Sequence, residues 1–156
     1  MEVRELMTKD PAACLPGDSC RTAGELMRSR RCGFLPVVEN HQEKRVIGVV
    51  TDRDIALYLT QADVPASHAP VKACMTADPR TVTPQTELEE AARAMEELAV
   101  HRLPVVEGGR LVGVLSVKDI ALAARKQWAQ AGPNIPARQM TEIVEAIAAA
   151  RIPSGR

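Results

Sequence analysis

Apolar positions in the second half of this chain follow two spacings. Leu88, Ala91, Ala92, Met95, Leu98 and Ala99 stand at i, i+3, i+4, i+7, i+10 and i+11, one stripe of an amphipathic helix. Thr86 and Glu89 read as a capping box that starts this helix. Ahead of it, Arg80-Thr81-Val82-Thr83 predicts a short strand. Behind it come two apolar runs, Leu103–Val106 and Leu111–Leu115, joined through Gly108-Gly109, a natural hairpin turn. A second helix begins at Ser116 and is apolar from Ile120 onward. The order is strand, helix, strand, strand, helix.

The first half repeats it. Met7-Thr8-Lys9-Asp10-Pro11 recurs as Met75-Thr76-Ala77-Asp78-Pro79, an offset of 75 − 7 = 68 residues. Ala23 and Met27 match Ala91 and Met95, and Leu35-Pro36-Val37-Val38-Glu39 matches Leu103-Pro104-Val105-Val106-Glu107. The polar loop Asn40–Arg45 is longer than the second hairpin turn, so the offset then falls to 113 − 48 = 65 residues. At that offset Val46-Ile47-Gly48-Val49-Val50-Thr51 pairs with Leu111-Val112-Gly113-Val114-Leu115-Ser116, and Asp54-Ile55-Ala56-Leu57 with Asp119-Ile120-Ala121-Leu122. In the first copy Asp18 takes the cap position, and Cys20, Ala23 and Met27 take the helix stripe. The expected organisation is repeat 1 over 1–60, a linker over 61–70, repeat 2 over 71–127 and an extension over 128–156. In that extension Met140, Ile143, Val144, Ile147 and Ala148 trace one more amphipathic helix with no counterpart in the first copy.

Composition narrows the functions available. Of 156 residues, 46% are hydrophobic and 26% charged, with one Phe, one Tyr and one Trp. A base-stacking nucleic-acid surface needs more aromatics than that. Lys plus Arg and Asp plus Glu number 20 each, so no overall field favours nucleic acid or an anionic membrane. No apolar run approaches the ~20 residues that span a bilayer, and the first residues lack the layout of a secretion signal, which points to the cytoplasm. Cys14, Cys20, Cys32 and Cys74 stand where the other copy has Val82, Leu88, Val100 and Leu6. They read as buried small hydrophobes, not as a metal or disulfide framework. His41, His68 and His101 make no metal set either. The sequence has no G-x-S-x-G, no P-loop and no Cys/His constellation, so no catalytic residues are expected.

The order M-T-x-x-P, A-x-x-x-M, L-P-V-V-E and V-G-V-[VL]-[ST]-x-x-D-I, seen twice over about residues 1–125, resembles the CBS domain. The resemblance implies an α+β fold: two β-α-β-β-α repeats packed with pseudo-twofold symmetry as a Bateman module, here with a C-terminal helical tail. It further implies a regulatory, non-enzymatic module, commonly a homodimer. Such a module binds AMP, ADP, ATP, NAD, S-adenosylmethionine or a related adenosyl ligand in clefts between the repeats and passes that status to a partner protein. The [ST]-x-x-D segments that would contact ribose and phosphate are Thr51, Arg53 and Asp54 in the first copy and Ser116, Lys118 and Asp119 in the second. A carboxylate can accept from a ribose diol, and a helix N-terminus with a hydroxyl suits phosphate. The same tetrapeptide before an apolar run is also an ordinary capping box. His101 and Arg102, where the first copy has Gly33 and Phe34, are possible phosphate contacts or a solvent-facing helix exit. The competing reading is a structural or interaction module with empty clefts, acting through its dimer surface and tail.

Overall fold

The computed structural model describes residues 1–131, and the helix expected over Met140–Ala148 lies outside them. In chain order the elements are β1 (Thr8–Lys9), α1 (Cys20–Arg30), β2 (Phe34–Val38), β3 (Val46–Thr51), α2 (Asp52–Ala62), β4 (Thr76–Ala77), α3 (Leu88–Glu97), β5 (Arg102–Glu107), β6 (Arg110–Ser116) and α4 (Val117–Ala131), with short 3-10 turns at Val3–Glu5 and Val71–Ala73. The fold is α+β, with two three-stranded sheets ordered β2-β3-β4 and β1-β6-β5. The chain divides into two compact units. The α1/α2 unit holds Asp10–Pro79 and Val106–Val112; the α3/α4 unit holds Met1–Lys9, Arg80–Val105 and the chain from Gly113 onward.

Those boundaries exchange the first strand of each repeat. β4, from the second copy, pairs with β3 of the first at Gly48↔Ala77 and Val49↔Thr76. β1, from the first copy, pairs with β6 of the second at Thr8↔Val114 and Lys9↔Gly113. The exchange accounts for two motifs at once. A Cβ on Gly48 would stand 2.8 Å from the Met75 sulfur and 3.0 Å from the Thr76 carbonyl oxygen; on Gly113 it would stand 2.6 Å from the Met7 sulfur. Each M-T segment therefore crosses the other copy's V-G-V at a distance only glycine permits.

The helix starts differ from the expected caps. Ser19, not Asp18, caps α1 by accepting from Thr22 N, while Asp18 Oδ2 accepts from Leu15 N at 2.8 Å. The free N–H groups of α1's first turn reach back to the inter-repeat segment, Cys20 N to Ala69 O at 2.7 Å and Arg21 N to Ala66 O at 3.1 Å. In α3 the Thr86/Glu89 box does not form. Glu87 is the cap residue without a side-chain capping bond, its Oε2 accepting from the Met1 ammonium at 3.1 Å; Thr86 Oγ1 accepts from Thr83 N instead, and Leu88 N donates to Met1 O at 2.9 Å. The expected strand at Arg80–Thr83 reduces to one bridge, Val82↔Val105. Backbone carbonyls from segments distant in the sequence thus satisfy the helix-start donors, beside the Ser19 cap in α1 and in place of a side-chain cap in α3, which a local sequence window cannot show.

Leu88, Ala91, Ala92 and Met95 are buried as the stripe predicts, but α3 stops at Glu97, so Leu98 and Ala99 fall beyond it and are exposed. In the α1/α2 unit the core gathers Cys14, Cys20, Ala23, Met27, Leu35, Val37, Val50, Ile55, Ala69 and Val71. Cys14 and Cys20 are buried as expected of aliphatic replacements; Cys32 and Cys74 are only partly buried.

Candidate functional site

Each unit ends a strand in the same corner. In the α1/α2 unit, β3 delivers Thr51 to the N-cap of α2: Thr51 Oγ1 accepts from Asp54 N at 3.1 Å, and Asp54 Oδ2 accepts from Thr51 N at 2.9 Å. In the α3/α4 unit, β6 delivers Ser116 to the start of α4. There Ser116 Oγ accepts from Asp119 N at 3.2 Å, and Asp119 Oδ2 accepts from Ser116 N at 2.9 Å. Both [ST]-x-x-D segments are thus capping boxes in fact. That bond uses only Oδ2; Oδ1 of each aspartate has no partner among the described residues, and both side chains are half-buried.

The two corners spend their hydroxyl protons differently. Ser116 Oγ also donates to Asp119 Oδ2 at 2.6 Å, a short hydroxyl–carboxylate bond. Thr51 Oγ1 makes no such donation to Asp54 or to any other of the described residues, which leaves its proton for another acceptor. Arg53 and Lys118 follow in the first helical turn, both exposed. A cation there opposes the helix dipole, and an anion at the same N-terminus would compensate it.

The segments entering the corners also differ. Asp52 N donates to Gly33 O at 3.1 Å, and Val117 N donates to His101 O at 3.0 Å, so Gly33 and His101 hold equivalent places. A Cβ on Gly33 would lie 2.6 Å from Asp52 Oδ2, so any larger residue there requires the exposed Asp52 carboxylate to swing aside. In the other unit Val117 replaces Asp52, and a histidine fits. Phe34 is buried, whereas its counterpart Arg102 is exposed at the start of β5. Thr51, Arg53 and Asp54 therefore belong to one unit, and His101, Arg102, Ser116, Lys118 and Asp119 to the other.

One feature of the α1/α2 unit escaped the sequence reading. An open groove of about 430 Å³ runs between α1 and α2, lined by Gly24, Met27, Arg28, Ile55, Ala56 and Leu59 among others. The signal available was Gly24, which opens the helix surface where the second copy has buried Ala92.

Cys14 and Cys74 are not set up as nucleophiles. Burial pushes the Cys14 thiol up to about 12. Burial, helped by the neighbouring Cys20 sulfur 3.6 Å away, pushes Cys74 up to about 12 as well. Among the described residues no group of three or more His, Cys, Asp or Glu side chains is placed to hold a metal ion. No helix among them is long and apolar enough to cross a membrane.

The model of the CBS domain matches this chain twice, at residues 3–61 and 71–126. The chain is a tandem CBS-domain pair. Among relatives of the pair, the CBS domain-containing protein YhcV of Bacillus subtilis is 34% identical over 120 residues, covering 77% of this chain and 83% of YhcV. Inosine-5'-monophosphate dehydrogenase of Streptococcus pyogenes is 32% identical over 113 residues, covering 71% of this chain but only 22% of that enzyme. Among solved structures, CBSX2, a CBS-pair protein of Arabidopsis thaliana solved in complex with AMP, is 30% identical with a TM-score of 0.67, over 80% of this chain and 96% of CBSX2.

Proposed function

We propose that this CBS pair is a ligand-sensing regulatory module that binds AMP, ADP, ATP, NAD, S-adenosylmethionine or a related adenosyl compound and has no catalysis of its own. The observation that carries this reading is the divided use of Asp54 and Asp119. One oxygen of each carboxylate is fixed by the capping box, which orients the side chain in advance, and the other is left to accept from a ligand. A carboxylate oxygen has two acceptor positions, so one Oδ1 can take both hydroxyls of a ribose 2′,3′-diol. Thr51, Arg53, Ser116, Lys118, His101 and Arg102 are the candidate phosphate contacts. The complex of CBSX2 with AMP supports the ligand class.

The alternative is an interaction module whose corners are occupied only by their own caps. It draws on one observation: the Ser116 hydroxyl is satisfied internally on both sides. A calorimetric panel of AMP, ADP, ATP, NAD and S-adenosylmethionine separates the two. Micromolar binding by at least one of the five is expected; no binding by any of them at millimolar concentration would leave the interaction module standing.

A further inference from the structure

Two cysteines of the α1/α2 unit meet side chain to side chain. The Sγ atoms of Cys20 and Cys74 lie 3.6 Å apart, although 54 residues separate them along the chain. In the repeat, Cys20 stands opposite Leu88 and Cys74 opposite Leu6, so this contact joins two cysteines where the other copy has two leucines. One buried cysteine is a small hydrophobe. Two in contact also place two thiols within reach of one bond.

The backbone holds the pair in place. Cys20 is the first residue of α1, and its N–H donates to Ala69 O at 2.7 Å. Cys74 closes the Val71–Ala73 turn, its N–H donating to Val71 O at 3.0 Å. Val71 N donates to Asp18 O at 2.8 Å and Lys72 N to Pro16 O at 3.0 Å, which ties that turn to the start of α1. The α3/α4 unit has the same frame at the 68-residue offset: Leu88 N donates to Met1 O, Val3 N to Thr86 O and Arg4 N to Pro84 O. The frame therefore belongs to the repeat, and the thiols are particular to one copy of it. A disulfide needs its sulfurs at about 2.0 Å, an approach of about 1.5 Å from the present contact. Cys74 lies in a turn, outside helix and strand, where a small shift and a side-chain rotation supply that approach. Solvent reaches the two unequally: Cys20 is 1% exposed and Cys74 is partly exposed.

We propose that Cys20 and Cys74 are a redox pair, which a low-molecular-weight disulfide oxidises to an intramolecular disulfide that ties the segment leading into β4 to the start of α1. Cys74, the partner that solvent reaches, attacks first as its thiolate. Its sulfur bonds one sulfur of the small disulfide, whose S–S bond breaks and releases one small thiol. Cys20 Sγ then attacks Cys74 Sγ, the mixed disulfide breaks, and the second small thiol leaves. The two protein thiols lose two electrons and two protons, and the small disulfide gains them. Burial, with Cys20 beside it, holds the Cys74 thiol up at about 12, so little thiolate exists near neutral pH and the first step is slow. The pair answers sustained oxidation and ignores brief exposure. The bond closes a loop that contains α1, β2, β3 and α2, which removes freedom from the unfolded chain.

Glutathione disulfide is the probe, applied to the full parent chain at pH 7, 8 and 9. Free thiols are then alkylated in denaturant and the peptides mapped by mass. The expected product joins the Cys20 and Cys74 peptides with loss of the mass of two hydrogens, and its rate rises about tenfold per pH unit. The oxidised chain should melt on the order of 5–10 °C above the reduced chain, a gain that dithiothreitol reverses. Cys20→Ala should stop at a mixed disulfide on Cys74, and Cys74→Ala should leave Cys20 unmodified. The parent's peptide map stands whether or not these variants fold. A parent that keeps both thiols free at pH 9, that pairs either of them with another cysteine, or that melts no higher when oxidised would overturn the proposal. None of these readouts depends on an adenosyl ligand.

Discussion

The corner at Thr51 and the corner at Ser116 are built from the same strand-to-helix turn and the same capping box, yet they leave different groups unspent. At Thr51 the hydroxyl proton and Asp54 Oδ1 remain available, while Phe34 is buried where a cation stands in the other unit. At Ser116 the hydroxyl proton is consumed by Asp119 Oδ2, which thereby accepts twice, while Arg102 and His101 flank the corner. A repeat can therefore conserve a turn and still diverge in what it offers a ligand. In the function proposed above, phosphate would meet the Thr51 hydroxyl at the α1/α2 corner and Arg102 at the α3/α4 corner. The proposed ribose acceptor, an aspartate Oδ1, is common to both.

Paired substitutions at equivalent positions sharpen this comparison. Ile55 and Ile120 occupy the same place on the second helices, but Ile55 borders the groove at 9% exposure and Ile120 is fully buried. Truncating Ile120 to Ala should cost near the top of the ~2–5 kcal/mol range for such changes, and Ile55→Ala near the bottom. Denaturant titration of the two variants checks the order, and equal losses would deny the groove its effect.

Gly48→Ala and Gly113→Ala should each cost about 1–3 kcal/mol by forcing β4 or β1 outward. Removing the opposing sulfur with Met75→Ala or Met7→Ala should recover part of that loss. If both glycine substitutions are silent in thermal melts, the close crossing of the exchanged strands is wrong.

Cys14 and Val82 are equivalent, and only one can ionise. With its thiol raised to about 12 in the folded state, Cys14 contributes stability that is present below about 9 and is lost as pH climbs toward about 12. Cys14→Val should flatten the fall in melting temperature between pH 9 and 11. Identical alkaline profiles for parent and variant would contradict the burial of that thiol.

The smallest effect concerns Arg31 and Ala99, equivalent residues in the left-handed region with φ of 52° and 51°. Glycine at either site removes a strain of about 1–2 kcal/mol but adds about 0.5–1 kcal/mol of backbone entropy. Each variant should gain up to about 1 kcal/mol by the same denaturant assay. A loss at Arg31 alone would assign its side chain a role beyond the turn.

The hairpins, the buried stripe Leu88–Met95 and both [ST]-x-x-D boxes were legible because each is a local pattern with a local cause. The caps at Ser19 and Glu87 were not. Their backbone donors are satisfied by carbonyls that arrive from Ala66, Ala69 and Met1, far along the chain. The glycines of V-G-V could be read as strand positions, but the reason for them lies in Met75 and Met7, which enter from the other copy. At the corners, sequence supplied Thr51, Asp54, Ser116 and Asp119. Which hydroxyl proton is spent became visible only from the distances, since serine and threonine satisfy the motif equally.

The most direct test of the account is the affinity of AMP for the parent, Asp54→Ala, Asp119→Ala and the double variant, measured by calorimetry with adenosine in parallel. Each single change should weaken AMP and adenosine alike at its own corner, on the order of ten- to a hundredfold, because ribose is common to both ligands. Arg102→Ala should weaken AMP at the α3/α4 corner and leave adenosine nearly unchanged. The double variant should bind neither ligand measurably. A correctly folded double variant that binds AMP as the parent does would show that Asp54 and Asp119 are helix caps and nothing more.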